Sequence, residues 1–231
     1  DHNAAELLID NLNAGKVPAP YNQIGLGGAR IEPKFVDEAG SAADVVTQFR
    51  NLAQRDRVDV VVGYVSSGNC LAITPVAEEL KQLTVLDICG TPRIFEEQPR
   101  HYVFRVNPHA TMDNVSAAKY VLSKFKDLSV YSGINQNYAW GQDSWRDFRL
   151  AMKDLDPRAR VDKELFPKLF AGEYGAEIST LLTSNAQIIH SSFYDGDLEA
   201  FIYQAGARGL PQRIPLVLTA GETSLYRLGS K

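Results

Sequence analysis

Val58-Asp-Val-Val-Val62-Gly63-Tyr-Val-Ser66-Ser67-Gly68-Asn69 is the stretch that decides the fold of this chain. A β-branched apolar run stops at a glycine. Small hydroxylated residues follow it and open a helix that reads through about Lys81. A strand that is apolar nearly throughout is covered on both faces, which favours a parallel sheet. In open parallel sheets the loops at strand C-termini, where helices begin, are where ligands sit.

The same rhythm continues in both directions. Apolar runs predict strands over Ile31–Asp37, Leu83–Ile88, Tyr102–Val106, Leu128–Ser132, Arg160–Glu164, Gln187–Ser191 and Ile214–Thr219, beside Val58–Val62. Between most of them the apolar period is near 3.6. Ser41-Ala-Ala-Asp44 reads as a capping box, followed by a face of Val45, Phe49, Leu52 and Ala53. Trp145, Phe148 and Met152 define a second such face, and Leu198, Phe201, Ile202 and Ala205 a third. Repeated strand–helix–strand order predicts a doubly wound α/β architecture. The rhythm breaks over Cys89–His101, which holds two prolines and no helical period. Asn107-Pro108 then opens a long helix through Phe125, with Val115, Ala118, Leu122 and Phe125 on one face. The expected boundary is near Asn107, giving lobes over residues 1–106 and 107–231. Each is expected to have its own sheet of about four strands.

Composition narrows the function. The chain is 45% apolar and 23% charged, enough to bury real cores without disorder. Its net charge of −4 is spread along the sequence, so no nucleic-acid arm or membrane patch is expected. No apolar run approaches the roughly 20 residues of a membrane span. His2, His101, His109 and His190 have no metal-ligand spacing, and His190 reads as a hydrogen-bonded near-core residue. No G-x-S-x-G elbow is present. Gly25-Leu-Gly27-Gly28 lies between a helix and a strand, the wrong context for a phosphate loop, and reads as a turn. No catalytic residue, metal site or cofactor is therefore expected. A Cys70–Cys89 disulfide is chemically possible in an oxidising compartment, while two small buried thiols are the plainer reading. No charged n-region, apolar h-region or cleavage site is seen ahead of Asp1, and a leader removed before it is expected; the chain starts inside a helical pattern (Ala4, Leu8 and Leu12, with Leu7), and Leu228–Lys231 has no natural finish. It reads as the ordered part of something longer.

The chemistry gathers at strand ends. Ser66 and Ser67, at a helix N-terminus, suit a carboxylate or other anion, although a serine or Asn69 there also serves as a simple cap. Gly90-Thr91 follows the next strand and is again small and hydroxylated. In the second half the equivalent positions are aromatic and acidic: Tyr138 and Trp140, then Tyr194, then Glu222. Donors in one lobe facing aromatics and an acid in the other would hold a zwitterion or an aromatic acid in a dry cleft.

Several of these stretches resemble one family over essentially the whole chain, the type I periplasmic binding proteins of the branched-chain amino acid transport class. Gly63-Tyr-Val-Ser-Ser-Gly is similar to its G-x-x-S-S-x ligand loop, and Asn137-Tyr138-Ala-Trp-Gly141 to its Q-x-Y-G-x-G segment. Tyr194-Asp-Gly196 through Phe201-Ile-Tyr-Gln-Ala205 and Gly209-Leu210 is similar to its Y-G-G…F-I-x-Q-A…G-L run. Gly221-Glu222 resembles the glutamate-bearing loop that follows. The resemblance implies two Rossmann-like lobes around a hinge, with the chain truncated at both ends. It implies that Ser67 and the Gly90–Thr91 region hold a ligand carboxylate, that Tyr138 and Tyr194 close over it, and that Glu222 pairs with an α-amino group. Thr91-Pro92-Arg93 departs from the family's small-small-Thr sequence, leaving Arg93 to reach ligand or solvent, and Trp140 is bulkier than the family's usual residue.

The expected function is that of an extracytoplasmic solute-binding subunit of an ABC importer, secreted to a periplasm or cell surface. Its expected partners are a small carboxylate-bearing ligand (an amino acid, aromatic or other carboxylic acid) taken up between the lobes and a membrane permease, with no nucleic acid and no direct membrane insertion. Two alternatives use the same fold: a sensor domain for amino acids or amides, and a nucleotide-using doubly wound enzyme.

Overall fold

The computed structural model describes residues 2–229; Asp1 and Lys231, the two ends on which the reading of a longer protein rests, lie outside them. The chain divides into two compact units, residues 1–40 and 41–231.

In the first unit the predicted N-terminal helix forms as α1 (His2–Asn13), yet it buries no residue. Some 40 residues are too few to bury an apolar face alone. Asn13 ties the unit together, donating from Nδ2 to the Ile31 carbonyl and accepting from the Ile31 N–H, both at 2.8 Å. The glycine run is a tight turn closed by a Leu26–Ala29 bridge. Gly25 has φ +61°, and a Cβ there would strike the Ala29 carbonyl. The strand expected over Ile31–Asp37 does not form. Its residues have no neighbouring strand within the unit, and an extended run without a ladder partner satisfies its backbone otherwise.

The second unit opens at the predicted capping box. Ser41 N–H donates to Asp44 Oδ2 (3.0 Å) and Asp44 N–H to Ser41 Oγ (3.3 Å), starting α2 (Ala42–Arg50). The Ser41 hydroxyl also donates to Asp44 Oδ2 (2.7 Å), and this bond, followed by that from the Ser41 N–H, holds the Asp44 carboxyl below its ordinary range. A π-helical stretch, Asn51–Asp56, ends α2 and leads to β1 (Val61–Gly63). Next come α3 (Ser67–Leu80), β2 (Thr84–Leu86), the short α4 (Arg93–Glu96) and β3 (Val103–Arg105). The single turn of α4 sits inside the proline-containing segment expected to be irregular.

The second half begins with α5 (Ala110–Lys124), then β4 (Val130–Ile134), α6 (Ala139–Leu155), β5 (Arg160–Leu165), α7 (Gly175–Leu182) and β6 (Ile188–Ser191). It continues through α8 (Asp195–Ala207), α9 (Leu210–Arg213), β7 (Leu216–Leu218), a 3-10 turn over Gly221–Ser224 and α10 (Leu225–Leu228).

Both sheets are parallel. The first has order β1-β2-β3, one strand fewer than expected; the second has order β5-β4-β6-β7. The two sheets fall on either side of Asn107.

The second sheet is covered on both faces. Tyr131 and Ile188 join Trp145, Phe148 and Met152 in one core, whereas Ile134 and Ile189 join Phe193, Leu198 and Phe201 in another. Consecutive residues Ile188 and Ile189 thus serve opposite cores, as the period of two requires. The first sheet is covered on one face only. Val61, Leu86 and Val103 pack on Val45, Phe49 and Ile73. The row Val62–Val85–Phe104 lies on the other face, with Val62 64% and Phe104 53% exposed. The two-faced burial read for Val58–Val62 is corrected here, because α2, α3 and α4 all pack into a single core.

Candidate functional site

The C-terminal ends of the strands from the two sheets come together at one junction. On the side of the first sheet, β1 stops at Gly63 (φ +140°) and the chain reverses through Tyr64 at φ +75°. A tyrosine in that region costs on the order of 1–3 kcal/mol, and such strain collects at functional loops. Ser66 then caps α3, accepting from Asn69 N–H at 3.4 Å. Ser67, in the first turn and buried, accepts the Thr91 N–H at 3.2 Å. The cysteines are joined: the Cys70–Cys89 disulfide, which the sequence left open, staples the first turn of α3 to the residue preceding Gly90.

Thr91 is fully committed. Besides its N–H to Ser67, its carbonyl accepts from Arg105 Nη1 (2.7 Å), and its Oγ1 donates to Asp143 Oδ2 on α6 (2.6 Å). Arg93 follows it across, donating from Nε to the same carboxylate at 3.1 Å. Burial lowers the Arg105 guanidinium from its ordinary value. Gly90 is needed as glycine, because a Cβ there would occupy the six-membered ring of Trp140. Its carbonyl accepts the Ala110 N–H that starts α5 (2.8 Å).

On the side of the second sheet, Tyr138 and Tyr194 precede α6 and α8 and join through their hydroxyls at 2.8 Å. Trp140 donates from Nε1 to the Ser192 carbonyl at 2.9 Å, which orients its ring against Gly90. Ser192 is fixed in turn, its N–H and hydroxyl both donating to Asn135 Oδ1 (3.0 and 2.7 Å). Below them buried Asp197 accepts from Gln136 Nε2 and the Phe170 N–H, both at 2.9 Å, and from the Tyr174 hydroxyl. Asp195, the first residue of α8, sits at φ +45°, a second strained position beside a candidate aromatic.

Of the residues expected at the site, Ser66, Ser67, Gly90, Thr91, Tyr138, Trp140 and Tyr194 gather at this junction. Glu222 is exposed on its 3-10 turn. Its charge, after burial, helps push Asp113 of α5 up to about 6. Sequence reading missed Asp143, Asn135, Ser192 and Asp197. Asp143 did leave a trace: it shares a helical face with Trp140 and Asp147 at spacings of three and four. His190 is buried as read, with Nε2 2.7 Å from Asn114 Oδ1 and its ring stacked on Phe148. A groove of about 1000 Å³ runs elsewhere, between α5 and β7. Among the described residues no group of acids, histidines or cysteines could hold a metal, and no helix is long and apolar enough to cross a membrane.

Two parallel sheets flanked by helices, with their strand-end loops abutting, are the architecture of the type I periplasmic binding protein fold. This chain belongs to the periplasmic binding protein family, whose sequence model matches residues 2–231. It is similar to a solved Rhodopseudomonas palustris solute-binding protein of an ABC transporter in complex with 4-hydroxybenzoate (21% identity, TM-score 0.82), covering 97% of this chain and 60% of that one. A second R. palustris solute-binding protein, in complex with benzoate, is 20% identical with TM-score 0.72, covering 78% and 49%. The branched-chain amino acid substrate-binding protein of Streptococcus pneumoniae in complex with isoleucine is 18% identical with TM-score 0.77, covering 93% and 57%. At these identities the likeness shows the fold. The chain spans about half to three-fifths of the length of these solved relatives. No curated protein sequence matches it.

Proposed function

We propose that the chain is the ligand-clasping portion of an extracytoplasmic solute-binding subunit of an ABC importer, delivering a small carboxylate-bearing compound to a membrane permease. The observation that carries this reading is the cross-lobe meeting of Gly90 with Trp140, beside the Tyr138–Tyr194 hydroxyl pair. Residues before and after Asn107 act as separate lobes that part there and close around the ligand. The Ser66–Ser67 turn offers backbone N–H groups at the start of α3 for the carboxylate. Tyr138, Trp140 and Tyr194 supply flat apolar surface and hydroxyl donors. The exposed position of Glu222 removes the preference for a ligand amine, so the ligand class is a small carboxylic acid, amino acid or aromatic acid alike. The ligands of the solved relatives, benzoate, 4-hydroxybenzoate and isoleucine, all carry that carboxylate.

The test is thermal shift of the whole protein against isoleucine, 4-hydroxybenzoate and nucleotides. A carboxylate ligand at a hundred times its Kd raises stability by about 2.7 kcal/mol. Stabilisation by nucleotides alone would defeat the proposal.

A further inference from the structure

We propose that Asp143 is the latch of cleft closure: a positioning residue on α6 that clasps Thr91 and Arg93 across the junction, so that these two side chains act on closure and not on the ligand. The inference rests on the reading that the lobes part and close.

Each half of the contact is anchored in its own lobe. Thr91 is held by Ser67 Oγ on its N–H and by Arg105 on its carbonyl, leaving the hydroxyl to point outward. Asp143 is held by Arg146 Nη1 at 3.1 Å. Arg146 also pairs with Asp147 through Nε at 2.7 Å, and Asp147 accepts the Thr111 hydroxyl of α5 at 2.7 Å. The bonds from Thr91 Oγ1 (2.6 Å) and Arg93 Nε (3.1 Å) to Asp143 Oδ2 then span 52 and 50 residues of sequence between these two frames.

The geometry also makes the contact reversible. A buried carboxylate stripped of every partner is costly. Asp143 has a side chain only 5% exposed, but opening removes Thr91 and Arg93 and leaves Arg146, three residues along the same helix. On the first-lobe side Arg93 is already about one-third exposed, and water can take the place of the carboxylate. The open state is thus disfavoured without an orphaned charge, which is what a two-position contact requires.

The experiment is small-angle scattering of the whole protein without ligand, comparing wild type, Asp143→Asn, Thr91→Val and Thr91→Ser, with circular dichroism to establish folding. Loss of one hydrogen bond to a charged group shifts the closed-to-open ratio about ten-fold toward open. Asp143→Asn and Thr91→Val therefore increase the radius of gyration, and Thr91→Ser, which keeps the hydroxyl, restores the wild-type value. A radius unchanged in folded Thr91→Val, or equally enlarged in Thr91→Ser, would overturn the latch. If Asp143→Asn does not fold, the Thr91 pair decides alone. No ligand enters the measurement, so failure to find one leaves this result standing. Conversely, Thr91→Val that weakens 4-hydroxybenzoate binding with no change of radius returns Thr91 to the ligand and removes it from the latch.

Discussion

The two sheets solve the same problem with different means. The second sheet has helices on both faces, so Ile188 and Ile189 each reach a dry core, and its strand ends rest on a buried polar network around Asp197 and Asn135. The first has a single core under α2 and α3, a bare row at Val62 and Phe104, and a disulfide where the second sheet has its network. Where packing is two-sided, noncovalent bonds suffice to hold the site loops. Where it is one-sided, a covalent staple at Cys70–Cys89 holds Ser67 and Gly90 in register.

The comparison can be broken most directly in the second core. Phe148 is fully buried between Tyr131, Trp145 and His190, so Phe148→Ala is expected to cost about 3–5 kcal/mol in urea unfolding. A loss comparable to a surface substitution would mean the two-sided packing is not what stabilises this half.

The staple ranks next. Replacing both cysteines, Cys70→Ala with Cys89→Ala, should lower stability by about 2–4 kcal/mol. It should also speed hydrogen exchange at the Thr91 N–H more than at the Ser192 N–H. Equal effects at the two amides would show that the disulfide does not act locally.

Acid sharpens the contrast further, because the fully buried histidine lies in the second half. Burial pushes His190 down to about 3, whereas the unfolded chain titrates near the ordinary value of 6.5. The unfolded state therefore takes up a proton first. Stability is complete above about pH 6.5 and falls as pH drops toward 3, by about 1.4 kcal/mol per unit. Between pH 7 and 5 the loss is about 2 kcal/mol, and His190→Gln should remove it from the unfolding free energy measured at the two values. Asp113, raised to about 6, acts with opposite sign, losing stability as pH climbs from about 4 to 6. Asp113→Asn should therefore steepen the acid loss.

The smallest effect belongs to the bare row. Phe104→Ser should change stability by no more than about 0.5 kcal/mol, since the ring is already half in water. Its signature is reduced binding of an apolar dye. A large destabilisation would show that this face is covered in solution.

The sequence by itself determined the element order, because burial within one helix or strand imprints a local period. The capping box at Ser41, the faces of α6 and α8, and seven of the eight expected strands follow from it, and the small, hydroxylated and aromatic strand-end stretches it singles out are the loops that gather at the junction. The eighth strand, Ile31–Asp37, failed because a strand exists only with a neighbour, and no local period reveals one. Tertiary structure alone decided the rest. Val62 reads as apolar whether or not a helix covers it. Thr91 and Ser67 read as hydroxylated strand-end residues, and only packing shows that Asp143 meets the one and the Thr91 N–H the other. Gly90 gains its reason only from a tryptophan fifty positions away. The cysteines read more plainly as thiols than as a bridge until α3 and the end of β2 place them side by side. Side-chain partners separated by that much chain are chosen by the meeting of surfaces, and no local pattern encodes which surfaces meet.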